Sequence, residues 1–130
     1  MTTRKLNEIT GATVRGWYEW LVENDMGCCH LPFAENATHV YSVCMGWHDA
    51  GRDGWKVAWL IGRQSHHNVM QSDLDLDFEM PYDPGTGDVD DTLEIVEPGK
   101  DWTDADWNAV AAGMRSTARR VWHDWKREGA

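Results

Sequence analysis

Thirteen carboxylates lie between Asp73 and Asp106, and Lys100 is the single basic residue among them. That window carries a formal charge of −12 against −10 for the whole chain, so everything outside it is slightly positive. In the stretch Asp73-Leu-Asp-Leu-Asp-Phe-Glu79 the acids alternate with apolar residues. A strand that turns Leu74, Leu76 and Phe78 inward sends Asp73, Asp75, Asp77 and Glu79 outward. Neighbours on one face of a strand stand about 6.6–6.8 Å apart. Phosphates along one DNA strand rise about 3.4 Å per step, or about 6–7 Å through space with the winding included. Such a carboxylate row imitates a phosphate row, and Asp83, Asp88, Asp90, Asp91 and Glu94 extend it. The plain alternative is a solvated face whose charges discourage edge-to-edge pairing. Against it, Asp is a poor strand former, and like charges close together on one face repel.

Other residues capable of chemistry are less well arranged. Cys28, Cys29, His30, His39, Cys44 and His48 include metal-ligand types, but Cys28-Cys29-His30 lacks the gap that lets paired ligands grip one zinc ion. Asp83, Asp88, Asp90 and Asp91 surround Gly85 and Gly87 with oxygen ligands suited to calcium, without the order of an EF-hand loop. His66 and His67 are candidate bases, yet no nucleophile motif, phosphate loop or paired-carboxylate signature accompanies them. No metal, cofactor or catalytic residue is therefore assigned, and a non-enzymatic role is expected.

The elements that must position these groups are legible in periodicity. Trp107, Val110, Ala111, Met114, Ala118, Val121, Trp122 and Trp125 fall on one helical face, predicting a helix from about Thr103 to Arg127. Thr103 is its N-cap, Asp106 a short capping-box partner, and Trp102 with Trp107 a hydrophobic staple. Arg115, Arg119, Arg120, Lys126 and Arg127 crowd the end where the helix dipole favours cations. An earlier helix carries Val14, Trp17, Tyr18, Leu21 and Val22, capped by Thr10, stapled by Ile9 and Val14, and ended by Gly27.

Between the helices the period changes to two. Tyr41, Val43, Met45 and Trp47, then Trp55, Val57, Trp59 and Ile61, flank the turn-rich Asp49–Gly54 as a hairpin. Leu74, Leu76, Phe78 and Met80 predict a third strand, and Leu93 with Ile95 a fourth. The expected fold is α+β: an N-terminal helix, a four-stranded antiparallel sheet and a long C-terminal helix, packed on one sheet face. Trp17, Trp20, Trp122 and Trp125 are expected in that packing. One of Trp47 and Trp55, beside the hairpin turn, is a candidate exposed anchor.

A chain of 130 residues is one domain's worth, so residues 1–130 are read as a single compact acidic domain. Leu, Ile, Val and Phe supply about 17% of it, which with this charge borders on disordered composition. Nine Trp reverse that reading, because each buried aromatic removes roughly 150–250 Å² from water. There is no apolar stretch of membrane-spanning length and no leader pattern. Three Cys, two of them adjacent, make a poor disulfide framework and suit a reducing cytoplasm.

In size, charge and charge placement the chain resembles the small acidic inhibitors of phages and mobile elements, anti-restriction and anti-CRISPR proteins among them. Toxin immunity proteins share that profile. The resemblance implies a protein-binding inhibitor whose partner is basic and handles nucleic acid, such as a nuclease or CRISPR effector. It implies no direct binding to nucleic acid or membrane, since the acidic surface repels both. The rival expectations are a small-molecule binder or enzyme with a pocket between sheet and helices, and an accessory subunit of a larger assembly.

Overall fold

A computed structural model of the protein describes residues 4–25, 27–65 and 92–127. A 3-10 turn, Arg4–Glu8, precedes helix α1, Gly11–Asn24. Strands β1 (Cys28–Glu35), β2 (His39–Asp49), β3 (Trp55–Ser65) and β4 (Glu94–Ile95) follow, and then helix α2, Asp104–Arg127. The strands form one antiparallel sheet in the order β1-β2-β3-β4. α2 lies on the sheet and against α1, giving the expected α+β fold.

The local signals act as their chemistry dictates. Thr10 caps α1, its hydroxyl accepting from the Thr13 N–H at 3.3 Å, and the staple pair Ile9 and Val14 is fully buried. At the start of α2 the Asp106 carboxylate accepts from the Thr103 N–H at 2.7 Å, while the Trp102 and Trp107 rings meet edge to face at 4.7 Å. The turn between β2 and β3 closes through Gly51 and Gly54, both at positive φ, with the Asp49 carboxylate accepting from the Gly51 N–H. Between β1 and β2 the Asn36 side-chain oxygen accepts from the Thr38 and His39 N–H groups. Its amide donates to the Tyr41 hydroxyl at 2.9 Å, satisfying the polar end of a buried ring.

Several expectations need correction. α1 stops at Asp25 rather than Gly27: Asp25 takes the left-handed conformation, φ 56°, and its N–H returns to the Leu21 carbonyl. That geometry strains any residue with a Cβ, Asp less than most. Asp25→Gly is therefore expected to stabilise the protein by about 0.5–1 kcal/mol, read as a higher urea midpoint at unchanged slope.

β1 was not expected from the sequence. Pro32 sits within it, which an edge strand tolerates because one row of its N–H groups has no ladder partner. A register shift between Pro32 and Ala34 inserts Phe33 as an extra residue, so the consecutive Phe33 and Ala34 are both buried. That break in alternation hid the strand. The strand expected at Leu74–Met80 lies outside the described residues. Just after β4, Val96 turns inward with its N–H bonded to the Val57 carbonyl, while Ile95 of β4 pairs with Ala58 and is exposed.

The core lies between the helices and one sheet face. Tyr41, Val43, Met45, Val57, Trp59 and Ile61 meet Trp107, Met114, Val121, Trp122 and Trp125, with Val14 and Leu21 from α1 and Leu6 and Ile9 from the leading turn. Trp122 and Trp125 approach Tyr41 at 4.7 and 4.8 Å, and the Arg63 guanidinium lies 4.8 Å from the Trp125 ring centre. Trp20 and Val22 are largely exposed, so the apolar stripe of α1 is narrower than read. Ser42, Ala58 and Gln64, on the opposite sheet face, are buried as well.

The two helices touch at their starts, where Gly11 is buried against Asn108. A Cβ on Gly11 would stand 2.8 Å from the Asn108 backbone nitrogen, a contact that only a shift of the helices relieves. Gly11→Ala is expected to cost about 1–3 kcal/mol by overpacking, despite the better helix propensity of Ala. Chemical denaturation measures it; an equal or higher midpoint would show that the helix starts part freely.

Candidate protein-binding surface

Of the nine acids singled out from the sequence, Asp73, Asp75, Asp77, Glu79, Asp83, Asp88, Asp90 and Asp91 lie outside the described residues. Glu94 lies within them, exposed on β4 opposite Trp59. Four further acids of the same run follow it. Glu97 leaves the sheet edge beside β3, Asp101 belongs to the turn before α2, and Asp104 and Asp106 occupy the first turn of that helix. All five are exposed.

Each position has a local cause. The pairing of β4 with Ala58 and Trp59, and the bond from the Val96 N–H to Val57, hold Glu94 and Glu97 along the open side of β3. Acids in the first turn of α2 face the positive end of the helix dipole. Glu97 is hydrogen-bonded to Lys56, and this bond, ahead of the charges of Glu97 and Asp53, holds the Lys56 ammonium above its usual pKa. Lys56 thus offsets one carboxylate of the group.

The cations collect elsewhere. Arg115, Arg119, Arg120, Lys126 and Arg127 run from the middle of α2 to its end. Arg115 donates to the Ile9 carbonyl and Arg119 to the Asn7 side chain, tying that half to the leading turn. A helix rises about 1.5 Å per residue, so these cations stand from about 14 Å (Arg115) to about 31 Å (Arg127) beyond Asp106 along the axis. Charges that far apart are screened from each other at physiological salt, where the Debye length is about 8 Å.

Trp55 is the exposed member of the hairpin pair: it leaves the β2–β3 turn with 67% of its surface accessible, whereas Trp47 packs on the core. Ile95, exposed on the edge strand, was not singled out from the sequence. Its alternation with Leu93 reads as a core pattern, and only the pairing with Ala58 reveals its outward face.

The remaining candidates resolve unevenly. Among the described residues no three His, Cys, Asp or Glu side chains converge as metal ligands, so Cys28, Cys29, His30, His39, Cys44 and His48 do not form one site. The Asp83–Asp91 loop and His66-His67 lie outside the described residues. Among the described residues, core side chains pack between the sheet and the helices. A cleft of about 360 Å³ opens between the helix starts, lined by Gly11, Ala12 and Gly16 of α1 and Asp104, Trp107 and Asn108 of α2. At its mouth Arg15 is paired with Glu19 at 2.9 Å. No described helix is long and apolar enough to cross a membrane. No protein-family model, curated protein or solved structure matches the chain.

Proposed function

We propose that this protein is a non-catalytic, protein-binding inhibitor that occupies the nucleic-acid groove of a basic protein. The observation that carries the reading is charge segregation. Residues 66–91 contain eight carboxylates and no Lys or Arg, and five exposed acids continue the run to Asp106. Five of the chain's twelve cations lie instead along α2 from Arg115 to Arg127, more than a Debye length from Asp106. Charge segregated in this way steers a basic partner toward the acidic run and speeds encounter. Exposed Trp55 adds an aromatic of the kind that anchors interfaces. A nuclease or a CRISPR effector has the required basic groove, and an immunity protein or an anti-CRISPR inhibitor would act on it in the same way.

Affinity capture from the native host, with mass spectrometry of the retained proteins, names the candidates. The purified candidate is then titrated with this chain in the presence of DNA or RNA. The expected result is mutual exclusion: nucleic acid displaces the chain, and the chain inhibits the partner's nucleic-acid binding. A ternary complex, or direct binding of nucleic acid by this chain alone, overturns the proposal.

A further inference from the structure

All three cysteines lie where β1 pairs with β2, and strand pleat divides them between the two sheet faces. Cys29 pairs with Met45 and turns toward the core. Cys28 pairs with Gly46 and His30 with Cys44, which puts Cys28 and Cys44 on the opposite face as diagonal cross-strand neighbours. Gly46 explains why the diagonal closes. It has no side chain opposite Cys28, and a Cβ there would stand only 3.3 Å from the Cys28 Cβ. With no side chain at Gly46, the Cys28 side chain can lean along the strand toward Cys44. Cys28 is exposed while Cys44 is half-buried, so the thiols differ in access to solvent.

From this arrangement we infer that Cys28 and Cys44 form an oxidisable dithiol, a modification site at which a peroxide closes an intramolecular disulfide between β1 and β2. The exposed Cys28 reacts first. Its sulfur attacks the peroxide, an S–O bond forms as the O–O bond breaks, and water leaves with the thiol proton. Cys44 then attacks the resulting sulfenic acid; the S–S bond forms, the S–O bond breaks and a second water departs. Two thiols and one hydrogen peroxide thus yield one disulfide and two waters. A disulfide brings its sulfurs to roughly 2.05 Å, and Cys28 and Cys44 share one sheet face with no side chain at Gly46 to hold Cys28 away. The Cys28 hydrogen bond, ahead of burial, holds the Cys44 thiol well above its usual pKa, and oxidation of Cys28 removes the thiol that is the main cause. Cys29 is a poor resolving partner, since it faces the core and burial raises its thiol as well.

The test treats the full chain with hydrogen peroxide and reads the intact mass, the free thiols and the linked peptides. The monomer is expected to become lighter by two hydrogens, to lose two of its three titratable thiols and to recover both with dithiothreitol. Cys29→Ser should behave alike, whereas Cys44→Ser should gain oxygen at Cys28 without the loss of hydrogens. A disulfide-linked dimer, a Cys28–Cys29 bridge, or unchanged chemistry in Cys44→Ser overturns the assignment. Should Cys44→Ser not fold, Cys29→Ser decides alone. It retains only Cys28 and Cys44, and its monomer must still lose two hydrogens.

Discussion

Replacing Trp122 with Ala is expected to cost about 3–5 kcal/mol, the largest effect of any single substitution considered for this chain. The ring is 94% buried, since 6% of its surface is accessible. It meets Tyr41 edge to face, and the Lys126 ammonium lies 5.4 Å from its ring centre. Truncation removes the transfer free energy of the indole and leaves a cavity that the flanking rings fill poorly. A single domain is stabilised by about 5–15 kcal/mol in all, so the loss takes a large share of the total. Denaturant titration should show a lower midpoint with the slope retained. A cost below about 1 kcal/mol would mean that the last turns of α2 detach at little expense and that the core ends near Ala118.

The second large effect belongs to the acidic run. Converting Asp73, Asp75 and Asp77 to Asn and Glu79 to Gln should slow association with the basic partner by about tenfold or more, because steering raises on-rates by about 10–10³-fold. The wild-type rate should itself fall steeply between low and physiological salt, and the variant's much less. Glu8, Glu19, Glu23 and Glu35 make the matched control, since all four are exposed and none belongs to the run. Their conversion to Gln should change the rate far less. Stopped-flow measurements over a salt series separate the outcomes. Equal effects from the two sets would reduce the mechanism to net charge. Unchanged binding by the Asp73–Glu79 variant would remove the electrostatic basis of the proposed inhibition.

What was legible in the sequence follows from how locally each signal is encoded. The start of α2 is written within six residues, and Trp102, Thr103, Asp106 and Trp107 make the contacts their spacing requires. The β2–β3 hairpin is likewise local, with its turn chemistry between two alternating runs. β1 is not legible, because Pro32 and the bulge at Phe33 interrupt its alternation. Trp20 and Trp122 are both spaced three residues from another Trp, yet one is exposed and the other buried. A helix period defines a stripe; the edge of that stripe depends on what packs against it. The direction of Ile95 and the meeting of Cys28 with Cys44 both depend on cross-strand register, which no single segment encodes.

The covering of Tyr41 by Trp122 and Trp125 also fixes a schedule for synthesis. The hairpin of β2 and β3 is complete once Ser65 has been made, but the helix that buries its apolar face ends at Arg127. Those intervening residues take about 3–12 s to translate at roughly 5–20 residues per second. A hairpin forms in about 1–10 μs. The nascent chain therefore holds an aromatic sheet face without its cover for a time about a million-fold longer than the sheet needs to pair. A message broken before the codon for Trp122 would leave that face without its cover permanently.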